Sequence, residues 1–162
     1  MYDSRIEAAD TATMYRDLAS ALEGLITGEP DPIANMANAA AVIFETLPDV
    51  NWAGFYLLKE GELVLGPFNG KPACVRIKLG RGVCGTAAAQ RETVVVENVD
   101  EFPGHIACDS ASKSEIVVPI VVGGRLVGVL DVDSPSLARF DGEDREGLER
   151  AVEVFVAATD LG

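Results

Sequence analysis

Two strand-length runs joined by paired glycines, SEIVVPIVV and RLVGVLDVD around Gly123–Gly124, constrain this chain more than any other feature. So short a link makes the two runs an antiparallel hairpin. A second pair lies upstream: WAGFYLL from Asn51, a turn at Lys59–Glu62, then LVLGPF. Between the pairs, RIKLGRGVCGTAAAQ reads as a strand end, a glycine loop and a short Ala-rich helix, and TVVVEN as a further strand. Val99 to Lys113 has no apolar periodicity and reads as a long loop, a kind of segment that is usually functional or disordered in a compact domain.

Helices flank these strands. Leu18, Leu22, Leu25 and Ile26 fall on one helical face, closed by Gly28 and Pro30. A second helix from Pro32 carries Ile33, Met36, Ala37, Ala40, Ile43, Phe44 and Leu47 as its apolar stripe, and Pro48 ends it. Asp141 caps a last helix, with Asp144 in its first turn and Leu148, Ala151, Val152 and Phe155 on its buried side. The order predicts an α+β fold: an antiparallel sheet with N- and C-terminal helices packed on one side. At 162 residues the chain is expected to form a single domain, 1–162.

The formal net charge of −13 argues against a basic surface for nucleic acid or anionic membrane. No run is long and apolar enough to span a bilayer, and the first residues lack a signal-peptide pattern, so a cytoplasmic protein is expected. Three cysteines, an odd number, fit a reducing compartment, where a disulfide is transient and catalytic rather than structural.

Cys74, Cys84 and Cys108 each sit among glycines, small residues or a proline, outside the apolar runs. That setting predicts element boundaries where a thiol can be reached. Cys108 lies in the long loop, three residues after the only histidine, and is the expected nucleophile. Gly82 and Gly85 could place Cys84 at a helix N-terminus, which lowers a thiol pKa. The competing readings are three small apolar core residues, or a Cys3His zinc site with His105, which lacks the usual close cysteine knuckle.

Asp131 and Asp133 interrupt an apolar strand at a spacing of two, so both leave the sheet on one face. Buried and unpaired, they would neutralise or attract a cation; the alternative is strand-end residues reaching solvent. Glu115 opens the partner strand. A strict two-residue turn at Gly123–Gly124 would set Glu115 opposite Val132, on the wrong face. A three-residue loop with a bulge, or an equivalent shift near Pro119, would set it opposite Asp133. A convergent acid site therefore requires the shifted register. Trp52 and Tyr56 share a strand face; on their own they read as core aromatics that could also wall a small apolar slot.

Block after block, WAGFYLL, GPFNGKPACVRI, GRGVCGTAAA, HIACDSASKSEIVVPI and GVLDVDSP resemble the GAF-domain free methionine-(R)-sulfoxide reductases, over about residues 15–157 and with the C-x9-C-x23-C spacing. The resemblance implies a GAF-like fold and thiol-dependent reduction of free L-methionine-(R)-sulfoxide. It implies attack by Cys108 and resolution by Cys74, with Cys84 auxiliary or a second resolving thiol. It further implies Glu115, Asp131 and Asp133 as ligand acids and Trp52 and Tyr56 around the methyl group. Thioredoxin or a similar dithiol would be the reductant, no cofactor or metal is needed, and a homodimer is expected. GAF folds also serve as sensors without turnover, so a non-catalytic small-ligand or redox sensor is the rival reading.

Overall fold

A computed structural model of the chain describes residues 11–105 and 111–162. Two helices open it, α1 (Thr11–Ile26) and α2 (Pro32–Thr46). Asp31 caps α2 by accepting from the Ala34 N–H at 2.8 Å, and Pro32 fills the first turn, where a missing N–H costs nothing. The strands are β1 (Trp52–Lys59), β2 (Glu62–Gly70), β3 (Arg76–Lys78), β4 (Val94–Val96), β5 (Ser114–Val122) and β6 (Arg125–Ser134). Helix α3 (Gly82–Gln90) follows β3, and α4 (Gly142–Ala158) follows β6. The six strands form one sheet in the order β3-β2-β1-β6-β5-β4, with every neighbouring pair antiparallel.

The sheet separates two cores. On one face Ala53, Phe55, Ile116, Val118, Leu130 and Val132 meet α1, α2 and α4, with the rings of Phe55 and Phe155 5.3 Å apart. On the other, Trp52, Tyr56, Val117 and Val129 meet α3. The expected α+β sheet with terminal helices on one side is the fold observed. Two helical faces differ from expectation. Leu25 and Ile33 are more than half exposed, and Ala37 also faces out, while Tyr15, Asn35 and Ala39 take buried places instead. Each helix buries a narrow stripe against the sheet and its neighbours, so apolar residues at the stripe's edge stay in water. For α4 the expected face is the buried one, and Asp141 and Asp144 form a reciprocal capping box. Among the described residues no helix is long and apolar enough to cross a membrane.

The β5–β6 hairpin decides what the second face can do. Val122 pairs with Arg125, so Gly123–Gly124 form a strict two-residue turn, both at positive φ as such a turn demands. The register then shifts between Ile120 and Val121, which face Gly128 and Leu126 and leave Val127 as the extra residue. Beyond that bulge Glu115 pairs with Asp133. The register is the one a convergent acid site requires, but the additional residue sits in β6, not in the loop.

Candidate active site

Even spacing along three adjacent strands brings the site together. Trp52 pairs with Asp133 and Gly54 with Asp131, while Asp133 pairs on its other side with Glu115. The entry to β5 is fixed by Ser114, whose hydroxyl donates to Ser136 O at 2.6 Å and accepts from the Arg139 N–H. Lys113 N–H donates to Ser134 O across the same strand ends. Glu115 thus starts from a rigid base, and α3 lies over it from the other side.

A cavity of about 50 Å³ lies between the sheet and α3, with Trp52, Tyr56, Cys84, Glu115, Asp131 and Asp133 among its walls. All five expected binding residues border it. Glu115 is 8% exposed and Asp131 5%. Cys84 Sγ lies 3.9 Å from Glu115 Oε2, and one ligand atom from each of Cys84, Glu115 and Asp131 falls within 4.8 Å of the others. Asp131 Oδ1 is buried with no hydrogen-bond partner. Burial and then the neighbouring Asp131 hold the Glu115 carboxyl well above the usual carboxylate range. Burial and then Asp133 do the same to Asp131. The floor of the site is crowded with acids, and among the described residues no ion pair reaches Glu115 or Asp131.

The aromatics are walls and tethers together. Trp52 and Tyr56 stack with centroids 6.0 Å apart, and Phe68 backs Trp52 at 5.2 Å. Gly54 between them leaves room for this: a Cβ there would come within 2.8 Å of the Trp52 ring and closer still to Phe68. Trp52 Nε1–H donates to Lys71 O at 3.0 Å, and the Tyr56 hydroxyl to Cys74 O at 2.9 Å. Both polar tips therefore hold the segment that carries Cys74. Burial first, and Asp131 next, push the Tyr56 phenol upward, so it stays a neutral donor.

The cysteines divide. Cys74 is disulfide-bonded, and among the described residues Cys84 is the free cysteine. Cys108, the expected nucleophile, lies outside the described residues. Cys84 corrects the sequence reading. It is 4% exposed, inside the second core, and not an accessible thiol at an element boundary. It does stand in the first turn of α3, yet burial, and next Asp131, raise its pKa instead of lowering it. Its flanking glycines suggest a loop; in fact Gly85 lets α3 press on the backbone, since a Cβ there would lie 2.4 Å from Lys78 O.

Sequence reasoning did not single out Arg81 and Ser112, and weighed His105 only as a zinc ligand or a neighbour of Cys108; all three border the cavity. The available signal for Arg81 was a cation flanked by glycines, Gly80 and Gly82, at the start of a short helix. Nothing in the pattern marked Ser112.

The chain matches the GAF domain family model over residues 31–158. It is 52% identical over 149 residues to the free methionine-R-sulfoxide reductase of Escherichia coli (strain K12), covering 90% of each chain. Among solved structures it is similar to the free methionine-R-sulfoxide reductase of Neisseria meningitidis in complex with its substrate, at a TM-score of 0.89 and 48% identity, over 92% of this chain and 90% of that one. It is also similar to a Burkholderia vietnamiensis protein described as a GAF sensor, at a TM-score of 0.90 and 58% identity, over 92% and 95%.

Proposed function

The chain belongs to the GAF-domain free methionine-R-sulfoxide reductase family, and we propose that it reduces free L-methionine-(R)-sulfoxide to methionine by thiol chemistry on a single domain, 1–162. The observation that carries the proposal is the buried acid floor with an unsatisfied Asp131 oxygen. A free amino acid brings an ammonium, which supplies the charge and the donors that this floor lacks. A peptide-linked methionine sulfoxide has no such ammonium, and a site built around one rejects it. Arg81, at the rim, is the cation placed for the substrate carboxylate. Trp52 and Tyr56 take the methyl-sulfur end.

In the reaction the Cys108 thiolate attacks the sulfoxide sulfur, and the oxygen leaves it for cysteine as a sulfenic acid. A protonated acid of the floor, Glu115 or Asp131, assists by donating to that oxygen, a role their raised pKa suits. Cys74 displaces water from the sulfenic acid to form a disulfide, and an external dithiol such as thioredoxin reduces it, in the cytoplasm. The disulfide-bonded state of Cys74 supports its role as the resolving thiol. In that state the cavity of about 50 Å³ is far below the roughly 300 Å³ of a small ligand pocket. On this reading, reduction of the disulfide frees the Cys74 segment, and substrate enters the reduced enzyme. Cys84, buried and high in pKa, lines the floor without attacking. A homodimer remains part of this reading.

The test is turnover of each methionine sulfoxide epimer with dithiothreitol, for wild type and Cys108→Ser. Activity on the R epimer that the substitution abolishes is expected. Activity surviving in Cys108→Ser moves the chemistry to another thiol, and no wild-type turnover of either epimer leaves the sensor reading.

A further inference from the structure

Cys84 is a buried thiol that the proposed reaction does not use, set beside two carboxylates whose shared cavity is too small for an amino acid in the disulfide form. Thiolate and carboxylate together suit a borderline or soft divalent ion, whereas a hard ion prefers oxygen alone. For zinc, bonds of about 2.3 Å to sulfur and about 2.0 Å to oxygen at a tetrahedral angle set S and O about 3.5 Å apart. Cys84 Sγ and Glu115 Oε2 are 3.9 Å apart, a few tenths of an ångström wider, which the longer bonds of cadmium accommodate. Asp131 contributes the independent sign of an absent partner: it is 5% exposed, borders the cavity, and its Oδ1 has no hydrogen-bond partner. The whole cavity, about 50 Å³, has room for the ion and for a water as fourth ligand.

We propose that Cys84, Glu115 and Asp131 form a binding site for one soft divalent cation of the zinc and cadmium class. The metal replaces the Sγ proton, which leaves to solvent, and fills the lone pair that Asp131 presents to the cavity. The role is inhibitory. If the floor receives the substrate ammonium, as the reductase reading holds, a bound metal occupies the same place and excludes substrate.

The test titrates cadmium into metal-free protein with Cys74 kept in its disulfide, and reads the ultraviolet thiolate-to-cadmium charge-transfer band. No turnover is measured, so the result stands apart from the fate of the reductase reading. The expected result is a band that saturates at one equivalent and is lost in Cys84→Ser folded to the wild-type circular dichroism spectrum. Asp131→Asn, which keeps the thiol, should retain the band but bind at least about tenfold more weakly. A wild-type protein without the band, a band undiminished in Cys84→Ser, or unchanged affinity in Asp131→Asn would each overturn the site.

Discussion

Each face of the sheet buries a carboxylate, and the two are treated in opposite ways. Asp144, on the helical side, is 3% exposed and fully partnered. It accepts from the Tyr15 hydroxyl at 2.6 Å, from Arg139 Nη1 at 3.2 Å and from the Asp141 N–H at 2.9 Å. Asp131, on the α3 side, is almost as buried, yet its Oδ1 meets no donor and two further acids crowd it. Burial is common to both; satisfaction is not. A carboxylate in a completed network holds structure together, whereas one left incomplete stores affinity for a partner that arrives from outside.

That contrast breaks most sharply in paired substitutions. Asp131→Asn should lower kcat/KM for free methionine sulfoxide by about 10²- to 10³-fold, the consequence of removing one partner of a buried charge contact. It should leave unliganded stability unchanged or raised, because it removes a crowded acid. Asp144→Ala should do the reverse, costing about 3 kcal/mol in a denaturant titration while the folded fraction keeps its kcat/KM. If both variants lose stability alike, the distinction between the faces fails.

The pH dependence of stability sharpens the comparison further. Glu115 and Asp131 have folded-state pKa values raised above their unfolded ones. Their contribution is therefore fully present below the ordinary carboxylate range near pH 4 and is lost as pH rises through the raised values. Asp141, which caps α4, behaves oppositely. The Asp144 N–H, chief among its partners, holds it below the usual range, so its contribution is present above that range and lost as pH falls. Asp131→Asn should flatten the loss on the alkaline side, and Asp141→Asn the loss on the acid side, when thermal midpoints are followed across pH.

The smallest effect is expected at the tether. Tyr56→Phe keeps the stacked wall but removes the donor to Cys74 O, at a cost of about 1 kcal/mol. Its mark should be a KM a few-fold higher with little change in stability elsewhere. An unchanged KM would make Tyr56 a wall alone.

The sequence carried the strand faces well, because period two leaves no choice: Trp52, Tyr56, Asp131 and Asp133 meet on one side as their spacing requires. It also carried the need for a shifted register at Glu115. It did not place the shift, since Val127 resembles every other residue of an apolar strand, and a bulge is chosen by twist and packing across strands. Cys84 was misread for a related reason. Glycines mark loops in one dimension, but Gly85 is a close-contact position in a helix and Gly82 starts that helix at positive φ, and only the packed structure distinguishes such roles from a loop. Leu25 and Ile33 fit a helical stripe whose width the neighbouring elements decide. Arg81 and Ser112 reach the site from loops whose path no periodicity describes.

The central claim is that the unsatisfied acid floor reads the substrate's free ammonium. Its most direct test is kcat/KM for L-methionine-(R)-sulfoxide against the N-acetylated compound, in the reduced wild-type enzyme. The account predicts a loss of about 10²-fold or more on acetylation, a gap that should shrink in Asp131→Asn. Equal turnover of the two compounds would contradict it.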